Sequence, residues 1–62
     1  MNIFYENERQ YYSAIRRKKK IKLRQIAEEL KVSVPLLSMW ESNKTNMSLQ
    51  NVTHYKQIID NK

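Results

Sequence analysis

Seven of the twelve Lys and Arg residues fall between positions 16 and 24, as Arg16, Arg17, Lys18, Lys19, Lys20, Lys22 and Arg24, with no acid among them. A positive patch that dense attracts polyanions, so nucleic acid is the first partner to consider and an anionic membrane surface the second. Nothing else in the sequence adds a reaction to that attraction. The six acids are scattered, His54 is the single histidine, and cysteine and glycine are absent. No nucleophile with its base, no metal-ligand set and no glycine loop for phosphate can be assembled from such residues. Binding rather than catalysis is expected, with no cofactor and no metal, and His54 is read as a surface or interface residue.

The elements that position these charges must come from 62 residues that are 40% hydrophobic and carry a net charge of +6. That length accommodates one domain, 1–62. A chain so short buries only about 60% of its unfolded surface, and without disulfides it needs well-packed helices or a partner subunit. A homodimer is therefore expected. The absence of cysteine fits a reducing compartment. Residues 1–14 show no basic stretch followed by an apolar one, and no apolar run approaches the roughly 18 residues that span a bilayer. The expected location is cytoplasmic, with no membrane partner.

Lack of glycine disfavours tight hairpins, and alternation of apolar and polar residues is nowhere sustained, so helix is the expected state throughout. Tyr11, Tyr12 and Ile15 predict a first helix over about 7–19, with Glu8 in its first turn and cations at its end, the order the helix dipole favours. Ile21 reads as an apolar plug in a short connection. Leu23, Ile26, Ala27 and Leu30 trace one face of a second helix, and Ser33 can cap a third that carries Leu36, Leu37 and Trp40 and ends near Ser42. Residues 43–47 read as a loop, and Ser48 can cap a last helix bearing Leu49, Val52, Tyr55 and Ile59. Residues 1–6 form an N-terminal arm whose Ile3, Phe4 and Tyr5 are expected to pack against something.

Two helices joined by three or four residues and crossing steeply let one lie over a phosphate backbone while the other enters the major groove. Such a pair, here 23–42, must turn Ile26, Ala27, Leu30, Val32, Leu37 and Trp40 inward. Trp40 shares the helical phase of Leu37, which makes it a core residue rather than a platform for bases. Tyr11 and Tyr12 are expected to pack on neighbouring helices or a second subunit.

The stretch from Ile15 to Leu49, through Ile26-Ala27-Glu28-Glu29-Leu30-Lys31-Val32-Ser33 and Leu37-Ser38-Met39-Trp40-Glu41, resembles the Xre/Cro-type helix-turn-helix family of phage repressors and bacterial regulators. The resemblance implies an all-α, lambda-repressor-like bundle of four to five helices. It also implies a transcriptional regulator, a repressor of phage, plasmid or bacterial type, bound to double-stranded DNA as a homodimer. Arg16 and Glu41 stand where the family commonly pairs an arginine on its first helix with a glutamate ending its recognition helix, so a structural ion pair is expected.

Three departures from the family pattern carry physical consequences. Lys31 stands where glycine is preferred for a positive φ, at a penalty of about 1 kcal/mol. Leu23 replaces a glutamine that helps bind a phosphate, leaving the backbone N–H to do so. The recognition helix opens Ser33-Val34-Pro35-Leu36, and Pro35 biases Val34 away from the helical region, so the helix is expected to start one residue late. Base reading then falls to Ser33, Ser38 and Ser42 for hydrogen bonds and to Val34, Pro35 and Met39 for contact with thymine methyl groups. Phosphate contacts are expected from Lys22, Leu23, Arg24, Asn43, Lys44 and Thr45, and a dimer interface from Tyr55, Ile58 and Ile59. A protein or peptide regulator is a further expected partner. The alternative function is a protein-interaction module, an antirepressor or regulatory partner, that uses the apolar face of the third helix.

Overall fold

The computed structural model describes residues 8–62; the expected arm 1–6 and the first residue of the expected first helix, Asn7, lie outside them. Four helices follow one another: α1 (Glu8–Lys18), α2 (Leu23–Leu30), α3 (Val34–Glu41) and α4 (Leu49–Asp60). The architecture is all-α. Both α1 and α2 pack on α3 and on α4. Ile21, Ile26, Ala27, Leu30, Leu37, Trp40, Tyr55, Ile58 and Ile59 form one core, with Tyr12, Ile15, Leu23, Val32, Met47 and Val52 partly buried against it. No helix among the described residues is long and apolar enough to cross a membrane.

The ends of the helices explain how a chain without glycine turns three times. Lys20, Lys31 and Asn43 adopt positive φ values of 60°, 60° and 62°. Each closes the helix before it in the same way. Lys20 N–H bonds Arg17 O at 3.0 Å and Ile21 N–H reaches back to Arg16 O at 3.0 Å; Lys31 and Val32 do the same to Glu28 and Ala27, and Asn43 and Lys44 to Trp40 and Met39. These paired bonds are Schellman closures, which satisfy the last carbonyls of a helix and usually take glycine at the left-handed position. Ile21 and Val32, the residues after the left-handed lysines, fold back onto the core.

Left-handed backbone costs a residue with a Cβ about 1–2 kcal/mol. Replacing either Lys20 or Lys31 by glycine removes that strain but loosens the unfolded chain, for a net gain of about 0.5–1 kcal/mol each. Both substitutions together are expected to raise the melting temperature, at about 4–8 °C for each 1 kcal/mol in a domain of this size. Thermal unfolding followed by circular dichroism checks this; a lowered midpoint would show the two closures to be strain-free, since only the loosening of the unfolded chain would then count.

At the start of α3, Ser33 Oγ accepts the Leu36 N–H at 3.1 Å and Ser33 O accepts the Leu37 N–H at 3.1 Å. The helix begins directly at Val34, with Pro35 in its first turn. The expected one-residue delay does not occur, because the cap and the burial of Leu37 outweigh the restriction proline places on Val34. Ser48 caps α4 by accepting the Asn51 N–H at 3.2 Å.

The last helix corrects two expectations. Tyr55, Ile58 and Ile59 are 0%, 8% and 0% exposed; they are the face with which α4 closes the core of its own chain, so they offer nothing to a second subunit. Leu49, expected on that same stripe, is 81% exposed. At 3.6 residues per turn it lies about 120° round the helix from Tyr55, beyond the buried arc.

Candidate nucleic-acid interface

The third helix is held from behind by a buried polar network that ends on Glu41. Arg16 Nε donates to Glu41 Oε2 at 2.8 Å and Arg16 Nη2 to Glu41 Oε1 at 3.1 Å, a two-point fork that fixes direction as well as distance. Ser13 Oγ adds a bond to Oε1 at 3.2 Å, and the Tyr55 hydroxyl donates to Oε2 at 2.6 Å. The third arm of the guanidinium, Nη1, donates to Ile21 O at 2.9 Å. One carboxylate at the end of α3 thus gathers α1 and α4, and one guanidinium adds the connection to α2. Burial, and then the bond to Glu41 and its negative charge, push the Tyr55 hydroxyl well above its ordinary pKa of 10.0, against a smaller opposing pull from Arg16. Tyr55 therefore stays a donor at neutral pH.

With Leu37, Trp40 and Glu41 turned inward, helical spacing places residues 35, 38, 39 and 42 on the opposite side, while Val34, in phase with Glu41, is the first residue of the helix. All four and Val34 are exposed, as is Ser33. Val34 is 38% and Met39 44% exposed, so two large apolar side chains stand in the open, Val34 at the start of the helix and Met39 on its outward face. That face carries no charged side chain.

Charge lies at its two ends. Lys22 and Arg24 are exposed at the start of α2, and Lys44 is exposed just past α3; none of the three side chains has a polar partner among the described residues. At the N-terminus of α2, Gln25 Oε1 accepts the Lys22 N–H at 2.9 Å. The Leu23 and Arg24 N–H groups, the first two of the helix, have no acceptor among the described residues. Leu23 turns its side chain onto the core while its N–H points along the helix axis, where the dipole favours an anion.

A helix-turn-helix family model matches residues 9–53, which takes in α1, the turn between α2 and α3, and the start of α4. The chain belongs to the Xre/Cro-type helix-turn-helix family. No curated protein and no solved structure matches it. In this family of DNA-binding regulators, the turn is the connection between α2 and α3, here Lys31, Val32 and Ser33.

The helix-turn-helix frame also sorts the basic run that dominates the sequence. Arg16 is consumed by Glu41, and Lys19 Nζ donates to Ile59 O at 2.7 Å, where a cation completes the C-terminal end of α4. Arg17, Lys18, Lys20, Lys22 and Arg24 remain exposed. Asn43 and Lys44 are exposed as well, whereas Thr45 is half-buried, its carbonyl accepting from Arg9. Tyr12 packs its ring edge-on against Tyr55 at 6.2 Å and donates to Asp60 at 3.2 Å, within the chain rather than toward a partner.

One residue that pattern reading passed over is Arg9. Its guanidinium lies 4.8 Å from the centroid of the Trp40 ring and reaches three oxygens in and beyond α3. A lone arginine in the first turn of a helix carries no periodic signal, and its partners are more than thirty residues away.

Proposed function

We propose that the protein is a transcriptional regulator, of the repressor type, that binds double-stranded DNA by inserting α3 into the major groove. The observation that carries this reading is the combination on one helix of a locked inner face, Leu37, Trp40 and Glu41, with an exposed first residue, Val34, and an exposed outer face of Pro35, Ser38, Met39 and Ser42. Unpaired cations at Lys22, Arg24 and Lys44 flank that face. Ser33, Ser38 and Ser42 offer hydroxyls to base edges, and Val34, Pro35 and Met39 favour thymine methyl groups. The N-terminal amides of α2, with Lys22 and Arg24, and the 43–45 loop grip phosphates on either side. The protein acts as a homodimer in the cytoplasm. Its subunit contact does not use the buried Tyr55, Ile58 and Ile59.

Selection of bound duplexes from a random pool at fixed salt tests this reading. Two-fold symmetric half-sites are expected, about 34 Å apart, one turn of DNA. Repeating the selection with Ser38→Ala and Met39→Ala should relax preference at the base pairs each side chain faces, by about 1–3 kcal/mol per position for a good contact. A strict guanine requirement opposite Met39 would assign the reading to other residues.

The uncharged, apolar character of the α3 outer face favours one second reading, a protein-interaction module such as an antirepressor or regulatory partner. Its affinity would come from desolvation of Val34 and Met39 rather than from phosphates.

A further inference from the structure

We propose that Arg9 is a positioning residue for DNA binding, which sets the loop after α3 so that the Asn46 amide faces outward as a phosphate donor beside Lys44. The inference rests on the DNA-binding reading. Arg9 stands in the first turn of α1, yet its Nη1 donates to Trp40 O at 3.1 Å and to Thr45 O at 2.9 Å, and its Nη2 to Asn46 Oδ1 at 2.9 Å. The flat guanidinium also lies over the Trp40 ring at 4.8 Å, so Trp40, buried in the core, fixes where the fork sits. Trp40 O already accepts the Asn43 N–H at 3.1 Å. Arg9 therefore adds a cation to the C-terminal end of α3, where the helix dipole favours one.

The consequence for the loop follows from peptide geometry. In a planar trans peptide the N–H points opposite to the C=O. With the Thr45 carbonyl drawn toward Arg9, the Asn46 N–H of the same peptide is aimed away from α1. It has no acceptor among the described residues. The Lys44 N–H is occupied by Met39 O at 2.9 Å and offers nothing to a phosphate, whereas the Asn46 N–H does, in a direction that Arg9 controls. Lysine cannot replace this arrangement, because a single ammonium nitrogen does not span Trp40 O, Thr45 O and Asn46 Oδ1 or lie flat on the indole.

The test compares wild type with Arg9→Lys, which keeps the net charge, and with Tyr12→Phe, which loses the α1–α4 bond to Asp60 without touching the loop. Binding to a duplex is measured across a salt series at a temperature where circular dichroism shows each variant folded. Arg9→Lys is expected to bind about fivefold or more weakly across the series, with the slope of log K against log salt unchanged, because the loss of a neutral amide contact involves no counterion. Tyr12→Phe is expected to lower the melting temperature and leave duplex affinity unchanged. A purely structural Arg9 would behave like Tyr12, and wild-type affinity in folded Arg9→Lys overturns the proposal. Should Arg9→Lys fail to fold, the wild-type Asn46 amide decides: its resonance shifts and its hydrogen exchange slows on addition of duplex if the proposal holds, and neither changes if it does not. A wild-type protein that binds no duplex at any salt removes the DNA-binding reading itself, and this inference with it.

Discussion

Glu41→Ala is expected to lower stability by about 3–5 kcal/mol, the cost of leaving a buried charge and its hydrogen-bond partners without their other half. The loss is large because four donor groups converge there: two from Arg16, one from Ser13 and one from Tyr55. A 62-residue domain has a total stability of only about 3–9 kcal/mol at the usual 0.05–0.15 kcal/mol per residue, so the variant should be largely unfolded at 37 °C. The network as a whole adds much less than this cost implies, since a buried ion pair replaced by apolar groups of similar shape is often neutral. The combined variant Arg16→Met, Glu41→Leu, Tyr55→Phe removes the charges and the Tyr55 hydroxyl together, and is expected to regain most of what Glu41→Ala loses. Urea unfolding of both checks the argument. A Glu41→Ala protein within 1 kcal/mol of wild type would mean that the carboxylate is not what holds α3.

Duplex affinity is expected to fall about a thousandfold between 50 and 200 mM salt if a homodimer neutralises six phosphates through Lys22, Arg24 and Lys44 of each chain, since log K changes by about 0.9 per phosphate for each decade of salt. These three side chains are exposed and have no polar partner among the described residues, so each is available to displace a counterion. The interaction-module reading predicts the reverse. An interface built on Val34 and Met39 buries apolar surface, whose transfer from water responds little to moderate salt and strengthens with sulfate. Fluorescence anisotropy with a labelled duplex across the salt series separates the two, and a flat dependence would leave the apolar face as the functional one.

The two expectations draw on different parts of the chain, and the sequence exposes them unequally. The stripe of Ile26, Ala27, Leu30, Leu37 and Trp40 was legible because a helix repeats every 3.6 residues and core side chains must recur with it. All five lie in the core. The left-handed turn at Lys31 could be read only through the family resemblance, which puts glycine there, whereas Ser33 and Ser48 could be read as caps from their hydroxyls ahead of apolar runs. Lys20 and Asn43 close their helices in the same way without any such signal. The error over Tyr55, Ile58 and Ile59 has a plain origin. Spacing of i, i+3, i+4 says that three side chains share a face, and a shared face is equally suited to a core or to a partner.

What the sequence determined by itself is the local record: four helices, the turn between the second and third, and a basic run with no catalytic set, because capping, periodicity and charge density are properties of neighbours along the chain. Only the tertiary structure decided which cations remain free. Arg16 and Lys19 stand in an unbroken basic run, yet one is bound to a carboxylate 25 residues away and the other to a carbonyl 40 residues away. It was likewise the tertiary structure that brought Arg9 to the loop after α3. The energy of an ion pair or a hydrogen bond depends on distance through space and on exclusion of water, and neither is written in the order of residues.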